Sequence, residues 1–168
     1  DDLSEILFTT GTTGKSKGIK IVYRNNVAIA QNVSEAIGIT NDDVEMVTAP
    51  MNHSMALRRT YTVFYKGGTV VLTDGVKFIE DFFKLLDMYN VTGLTFAPAI
   101  LEQLLKFAKD RFGTYSDRLR YIQLGSAPLS EKAKKTLKEM FPNTKLFNIY
   151  GATESGCTVS LEFSKYGD

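Results

Sequence analysis

Short apolar segments recur along the chain, and stretches with helical periodicity separate most of them. The segments are rich in Val, Ile, Leu, Thr and aromatic residues, which is typical of β-strands. Several are apolar on both faces, as strands of a sheet covered by helices must be. We predict strands at residues 5–9, 19–23, 44–49, 69–72, 92–97, 119–124 and 145–149.

Helices are predicted between these strands, where apolar residues recur every three or four positions. Residues 26–37 show this spacing, and Gly38 follows as a helix stop. Two further helical patterns run through residues 78–86 and 100–108. A last helix is predicted after Ser130, a suitable N-cap, and Pro142 is expected to end it.

The alternation of strands with helices of about ten to fifteen residues predicts an α/β fold with a mostly parallel sheet flanked by helices. We find no internal repeat, low-complexity segment or linker, so residues 1–168 are expected to form a single unit. Ligands of such folds gather at the carboxyl ends of the strands. The loops of interest therefore follow Thr9, Ala49, Ala97, Leu124 and Ile149.

Composition and charge exclude several classes of protein. The chain is 43% hydrophobic and 23% charged, which is ordinary for a globular protein, and its net charge of +1 does not point to nucleic acid. No apolar run approaches the ~18 residues of a membrane span. The single cysteine, Cys157, excludes an internal disulfide and fits a reducing compartment, which predicts a cytoplasmic location.

The segment FTTGTTGKSKG at residues 8–18 has a composition suited to phosphate binding. Its glycines allow close backbone approach, and its threonines and lysines supply hydrogen-bond donors and positive charge. A Walker loop is one alternative, but Thr9 replaces its first glycine and residues 19–23 read as a strand instead of the required helix. We favour a hairpin loop that closes on a polyphosphate; a solvated turn that binds nothing is the other alternative.

Two further loops follow predicted strands. In NIYGATES, the ring of Tyr150 can stack on a base, the hydroxyl of Thr153 can bond a phosphate, and Glu154 can hold Mg²⁺. The segment LGSAPL is a tight turn of small residues against which a flat ring can lie. A polar β-turn and a strand-to-helix turn are the respective alternatives without a ligand.

The segments TTGTTGKSKG, GSAPLS and NIYGATES, in this order, resemble the AMP-forming, adenylate-forming superfamily, which includes acyl-CoA synthetases, firefly luciferases and peptide-synthetase adenylation domains. The intervening segments YRNN, APMNHSMA and KGGTVVL are similar too, so the resemblance spans nearly the whole chain. It implies a central segment of the family's large N-terminal domain. The N-terminal subdomain and the mobile C-terminal domain, which carries a lysine for adenylation, are then expected outside these residues.

The resemblance also implies a role for each motif. Thr153 is expected on the α-phosphate of ATP and Glu154 on Mg²⁺, and with Lys17 these are the expected catalytic residues. Ser16 and Ser126 depart from the family pattern, which has proline and glycine or alanine there. Gly151 is a further expected nucleotide-binding residue. The adenine pocket is expected from Gly125, Ser126, Ala127, Pro128, Asn148 and Tyr150, and the β- and γ-phosphate loop from Thr9, Thr10, Gly11, Thr12, Thr13, Gly14 and Lys17.

The activity implied by the resemblance is ATP-dependent activation of a carboxylic acid to an acyl-adenylate, followed by transfer to coenzyme A. Positioning and electrostatic stabilisation carry such a reaction. The expected acid is a fatty acid or another simple carboxylic acid, and the isolated fragment is expected to be inactive. An amino-acid adenylation domain of the peptide-synthetase type and a non-catalytic ATP-binding remnant are the alternatives.

His53, the only histidine, is either a structural residue or, by the resemblance, a neighbour of the acid substrate. Peptide-synthetase domains tend to carry an aspartate in this region, where this chain has Asn52 and His53. A buried ammonium without a carboxylate partner is costly, which favours a simple acid over an α-amino acid. Arg58 and Arg59 are expected to face solvent, with pairing to a polar acid or coenzyme A as the alternative.

Overall fold

The computed structural model describes residues 2–10, 16–73, 75–76 and 78–166. The described strands are β1 (Leu3–Thr10), β2 (Ser16–Val22), β3 (Val44–Val47), β4 (Thr69–Leu72), β5 (Gly93–Phe96), β6 (Tyr121–Leu124), β7 (Lys145–Ala152) and β8 (Gly156–Glu162). The helices are α1 (Tyr23–Ile37), α2 (Ser54–Tyr65), α3 (Ile79–Met88), α4 (Pro98–Phe107), α5 (Lys109–Gly113) and α6 (Glu131–Met140), followed by a 3₁₀ turn at Phe163–Lys165.

Six strands form the main sheet, in the order β4-β3-β5-β6-β7-β8. Every neighbouring pair is parallel except β7 and β8, which are antiparallel. Strands β1 and β2 form a separate antiparallel hairpin. The predicted α/β fold with a mostly parallel sheet is therefore confirmed.

Helices cover both faces of the sheet. On one face α3, α4 and α6 pack on a core that contains Phe82, Phe112 and Phe141, whose rings meet edge to face. On the other face α1 and α2 contribute Ile37 and Val63 to a smaller core. None of the described helices is both long enough and apolar enough to cross a bilayer.

The boundaries of several helices follow from their capping residues. Gly38 adopts φ = 79° after α1, and its N–H donates to the carbonyl of Ser34. Ser130 accepts a 3.2 Å hydrogen bond from the N–H of Ala133 at the start of α6, as predicted. The predicted strand at residues 19–23 ends one residue early, because Tyr23 is already the first residue of α1.

The sequence-based prediction missed two elements that frame the site. Helix α2 was not predicted, and its buried residues include Arg58, Arg59, Thr60 and Thr62, so its buried side does not read as apolar. Strand β8 was also missed, and β7 runs to Ala152 instead of ending at residue 149. The segment NIYGATES thus lies on a strand and a hairpin turn.

Candidate nucleotide and acid site

The glycine–threonine loop joins the two strands of a hairpin. Strand β2 follows it directly, and its ladder with β1 runs from Leu3 opposite Val22 to Thr10 opposite Ser16. A Walker loop would lead into a helix here, so that alternative is wrong. The predicted phosphate-binding residues Gly11, Thr12, Thr13 and Gly14 lie outside the described residues.

Ser16, at the position where the resemblance leads us to expect proline, closes the base of this hairpin. Its hydroxyl donates a 3.1 Å hydrogen bond to the carbonyl of Thr9 on the facing strand. Lys17 is exposed and lies opposite Thr9 in the ladder. Serine therefore contributes a cross-strand bond that a proline at this position would lack.

The loop after β6 places two predicted adenine-pocket residues in different surroundings. Gly125 is buried, and a Cβ atom there would lie 2.4 Å from Cγ1 of Ile149, so close packing of β6 and β7 requires the glycine. Ser126 is exposed with φ = 70°, a left-handed conformation that favours glycine. Ala127 and Pro128 follow on the surface.

The turn between β7 and β8 presents Thr153 and Glu154. Gly151 and Gly156 lie against each other at the base of the turn, where a Cβ atom on Gly151 would lie 1.9 Å from the carbonyl oxygen of Gly156. Thr153 is half-buried and Glu154 is exposed. Tyr150 is 75% exposed, an unusual state for a large ring and one that leaves its face open to a planar ligand.

His53 caps the N-terminus of α2. Its Nδ1 atom accepts a 3.2 Å hydrogen bond from the N–H of Met55, which meets one of the unpaired donors at the start of the helix. The structural role considered for this histidine is therefore real. The same hydrogen bond holds the imidazole ring at the edge of a cavity.

A cavity of about 250 Å³ lies between the first turns of α2, the loop after β6 and the β7–β8 hairpin. It brings together five of the predicted site residues: His53, Ser126, Tyr150, Gly151 and Thr153. Seven further predicted residues do not line it: Thr9, Lys17, Gly125, Ala127, Pro128, Asn148 and Glu154. Of Thr10 the structure describes only its place at the end of β1. Ser54, Met55, Arg58, Arg59, Ile149, Ala152, Gly156 and Cys157 complete the lining.

Arg59 lies in a buried polar network beneath the cavity, so the prediction that it faces solvent is wrong. It is 3% exposed, and Nε donates a 2.8 Å hydrogen bond to Oε1 of Glu45 while Nη2 bonds to Oε2. Glu45 also accepts hydrogen bonds from Thr95 and Tyr121. Burial is the largest single influence and disfavours the charged guanidinium, but the charge and hydrogen bonds of Glu45, together with smaller contributions from Tyr121 and Cys157, outweigh it and hold the pKa of Arg59 above its ordinary value.

Arg58 is buried as well, against the same prediction. It is 4% exposed, and Nη1 lies 3.3 Å from Oε1 of Glu5 on β1. The other carboxylate oxygen of Glu5 accepts a 3.0 Å hydrogen bond from the hydroxyl of Tyr61. Burial lowers the pKa of Arg58, while the negative charge of Glu5 opposes this shift.

Cys157 is a further residue of the cavity that the sequence did not single out. It is half-buried, and burial raises the pKa of its thiol, with Arg59 acting in the opposite direction. The one signal in the sequence for this side of the site is the pair Arg58–Arg59, which comes shortly after His53.

Glu154 fits Mg²⁺ by its chemistry. Across the described part of the chain, no three metal-ligating side chains cluster. Mg²⁺ nevertheless binds through one or two carboxylates together with phosphate oxygens and water, so a single exposed carboxylate suffices beside a nucleotide.

The sequence model of the family described as "AMP-binding enzyme" matches residues 1–168. The chain belongs to the AMP-binding enzyme family. The resemblance read from the motifs is therefore confirmed.

Curated relatives within the family include CoA ligases. 4-Coumarate-CoA ligase 1 of Narcissus pseudonarcissus is 29% identical over 166 residues, which cover 96% of this chain and 30% of the relative. Acyl-CoA synthetase 7 of Caenorhabditis elegans is 31% identical over 165 residues, which cover 92% and 30%. The chain thus spans about a third of the length of these relatives.

Solved structures agree with this assignment. O-succinylbenzoate CoA synthetase of Bacillus subtilis, with a bound product analogue, superimposes with a TM-score of 0.83 at 26% identity, covering 98% of this chain and 33% of that one. A structure of the synthetase with ATP and magnesium ion gives a TM-score of 0.80 at 25% identity, covering 94% and 32%. The chain therefore shares the fold of adenylate-forming enzymes.

Proposed function

We propose that the protein containing this chain is an AMP-forming acid–thiol ligase, which activates a carboxylic acid with ATP and passes the acyl group to coenzyme A. The observation that carries the proposal is the cavity at which His53, Ser126, Tyr150 and Thr153 meet. These residues come from three segments of the chain, and each segment lies at or just after the carboxyl end of a strand of the parallel sheet, where ligands of α/β folds bind.

ATP occupies the side of the cavity formed by β7 and the loop after β6. The exposed ring of Tyr150 stacks on adenine, next to Gly125, Ser126, Ala127, Pro128 and Asn148. Gly151 and Thr153 approach the α-phosphate. Thr9, Thr10, Gly11, Thr12, Thr13, Gly14 and Lys17 enclose the β- and γ-phosphates. The Bacillus subtilis synthetase with bound ATP and magnesium ion supports this assignment.

The reaction requires no covalent nucleophile from the protein. A carboxylate oxygen of the acid attacks the α-phosphorus of ATP, the bond to pyrophosphate breaks, and an acyl-adenylate forms. The thiol of coenzyme A then attacks the acyl carbon and AMP leaves. Lys17 and the hydroxyl groups of the glycine–threonine loop stabilise the charge of the departing pyrophosphate, and Thr153 orients the α-phosphate.

Glu154 holds Mg²⁺ against the phosphates. When bound, the metal ion neutralises charge on the phosphate oxygens. Loss of this carboxylate weakens metal binding without removing a group that reacts.

The cavity fits an acid without an amino group. Its lining includes Arg58 and Arg59 and, among the described residues, no carboxylate. The nearby carboxylates of Glu45 and Glu5 are each engaged by an arginine. An α-ammonium would therefore lack a partner here, which argues against the amino-acid adenylation alternative.

We place residues 1–168 in the central part of the family's large domain, and a cytoplasmic location remains our prediction. The isolated segment is expected to be inactive, because the resemblance assigns the lysine that serves adenylation to the mobile C-terminal domain, which is expected outside residues 1–168. The activity therefore belongs to the full-length protein.

Acid-dependent exchange of pyrophosphate into ATP tests the proposal on the full-length protein. A ligase gives exchange with at least one carboxylic acid and forms AMP on turnover with coenzyme A. ATP binding without exchange for any acid indicates the non-catalytic remnant. Hydrolysis of ATP to ADP contradicts the proposal.

A further inference from the structure

The carboxylate of Glu5 connects the β1–β2 hairpin to helix α2. Its Oε2 atom accepts a 3.0 Å hydrogen bond from the hydroxyl of Tyr61, and its Oε1 atom lies 3.3 Å from Nη1 of Arg58. Arg58 and Tyr61 are three residues apart on α2, so they lie on one face of that helix. Among the described residues, no other hydrogen bond or ion pair joins the hairpin to α2.

The hairpin is held to the rest of the fold near its base. Strands β1 and β2 pair with each other and share no ladder with the main sheet. The side-chain amide of Asn26 on α1 donates a 3.0 Å hydrogen bond to the hydroxyl of Ser4, whereas Phe8, nearer the tip, is 73% exposed. Thr10 lies about 17 Å from Glu5 along the strand. A small rotation about the base therefore moves the glycine–threonine loop by a larger distance.

The ion pair between Glu5 and Arg58 is close but does not form a hydrogen bond. Oε1 of Glu5 and the three guanidinium nitrogens of Arg58 are buried and have no hydrogen-bond partner in the described chain. A buried donor and acceptor that lie side by side unpaired are costly, and charge-assisted hydrogen bonds have lengths of about 2.8 Å. A shift of the hairpin toward α2 by about 0.5 Å would therefore complete this bond.

We propose that Glu5 is a positioning residue that couples the phosphate loop to the acid site through Arg58 and Tyr61. This inference rests on the proposed ligase function and deepens it. When the glycine–threonine loop closes on the β- and γ-phosphates, the hairpin moves against α2 and Glu5 completes its bond to Arg58.

The first turns of α2 form one wall of the cavity, from His53 to Arg58. The completed bond fixes this wall in the position in which the acid binds. Phosphate binding in the loop and acid binding in the cavity then favour the same conformation, so each ligand increases the affinity for the other.

Acid binding in the presence of two different nucleotides tests the coupling on the full-length protein. α,β-Methylene-ATP carries the β- and γ-phosphates but cannot release pyrophosphate, whereas AMP lacks both phosphates. Pyrophosphate exchange selects the best acid among acetate, hexanoate, benzoate and cinnamate, and calorimetry then gives its Kd with each nucleotide and Mg²⁺. We expect the acid to bind about fivefold or more tightly with α,β-methylene-ATP than with AMP. Equal Kd values overturn the inference.

Variants at the contact show whether Glu5 carries the coupling. Tyr61→Phe removes one hydrogen bond to Glu5, and the double variant Glu5→Gln, Arg58→Met removes the ion pair without leaving either charge buried alone. We expect the ratio of the two Kd values to fall to about one in the double variant and to an intermediate value in Tyr61→Phe. A ratio that stays at the wild-type value in the double variant overturns the inference.

A similar cluster on the opposite face of the sheet supplies matched controls. Asp87 accepts a 3.1 Å hydrogen bond from the hydroxyl of Tyr115, and its other carboxylate oxygen lies 3.3 Å from Nη1 of Arg118. Tyr115→Phe and the double variant Asp87→Asn, Arg118→Met should keep the wild-type ratio. An equal fall of the ratio in these controls overturns the inference, because a general loss of stability would then explain the effect.

The failure of the coupling and the failure of the ligase function give different results. The absence of exchange with all four acids overturns the proposed function. Exchange with equal Kd values for the acid overturns the coupling alone. AMP binding, measured by the same calorimetry, shows whether each variant is folded. If the double variant does not bind AMP, Tyr61→Phe is the deciding variant, and an unchanged ratio there overturns the inference.

Discussion

The hydroxyl of Tyr121 on β6 reaches across β5 and donates a 2.7 Å hydrogen bond to Oε2 of Glu45 on β3. Gly93 lies between the two residues in the ladder, and a Cβ atom there would lie 2.2 Å from Cζ of Tyr121. Because Gly93 has no side chain, the ring of Tyr121 can cross β5. Because Glu45 also binds Arg59, this crossing fixes the floor of the cavity.

Replacement of Gly93 by alanine is expected to displace the ring of Tyr121 and to lower the free energy of unfolding by about 1–3 kcal/mol. Urea unfolding of the full-length protein measures the effect. Gly113→Ala is a matched control, since the nearest atom to its added Cβ lies at an ordinary 3.8 Å. Equal stability of Gly93→Ala and the wild type would contradict the crossing.

Glu45→Gln tests the buried ion pair directly. The substitution leaves the guanidinium of Arg59 buried without its counter-charge, and breaking such a pair costs about 3–5 kcal/mol. The control is Glu80→Gln, which disrupts an exposed pair with Arg111 and should change stability by less than about 1 kcal/mol. Similar effects of the two substitutions would show that Glu45 does not support Arg59.

Ser126→Gly is expected to stabilise the protein by up to about 1 kcal/mol. Residue 126 adopts φ = 70°, which glycine reaches without strain, and the serine hydroxyl donates a 3.2 Å hydrogen bond only to Sδ of Met55, a weak acceptor. Thermal unfolding measures the change, and pyrophosphate exchange should be retained. A clear loss of stability or of exchange would assign the hydroxyl a function that the structure does not indicate.

Asp43 is expected to make the free energy of unfolding depend on pH in the acidic range. Burial raises the pKa of this carboxyl, but hydrogen bonds from Arg120, the N–H of Thr40 and the hydroxyl of Thr92 outweigh burial and hold the pKa below its ordinary value. The unfolded state therefore takes up the proton first as the pH falls. The stabilising contribution of the Asp43 carboxylate to the folded state is present above about pH 4, and it is lost as the pH falls through the pKa that Asp43 has in the folded state.

Asp43→Asn should accordingly be less stable than the wild type at pH 7 and should lose less stability between pH 5 and pH 3. Unfolding in urea at these three pH values measures the difference, with the exposed neighbour Asp42→Asn as the control. Parallel losses of stability in the wild type and Asp43→Asn would exclude Asp43 as the source.

The centre of the sheet was predictable from the sequence because β5 and β6 are buried on both faces. Strands β4 to β6 lie within or at their predicted ranges, and the N-cap at Ser130 was correct. The hairpin around the glycine–threonine loop was also predictable. The residues after Gly18 have the pattern of a strand, whereas a Walker loop is followed by a helix.

The cavity was only partly predictable, because its deepest side is polar. The buried residues of α2 include Arg58 and Arg59, and charged side chains at such positions read as a solvent-facing surface. Their burial depends on Glu45 and Glu5, which lie on other elements of the fold and approach α2 only in the folded chain. Strand β8 was missed for a related reason, since Val159 and Leu161 are exposed and give no half-buried alternation.

Acid-dependent pyrophosphate exchange by the full-length protein and its Glu154→Gln variant tests the central claim most directly, with Glu139→Gln on exposed α6 surface as the control. We predict that pyrophosphate exchange occurs only when a carboxylic acid is present. The exchange rate should fall by about tenfold or more in Glu154→Gln, because metal-assisted charge neutralisation is weakened, and should not change in Glu139→Gln. Exchange by Glu154→Gln at the wild-type rate, or hydrolysis of ATP to ADP without an acid, would contradict it.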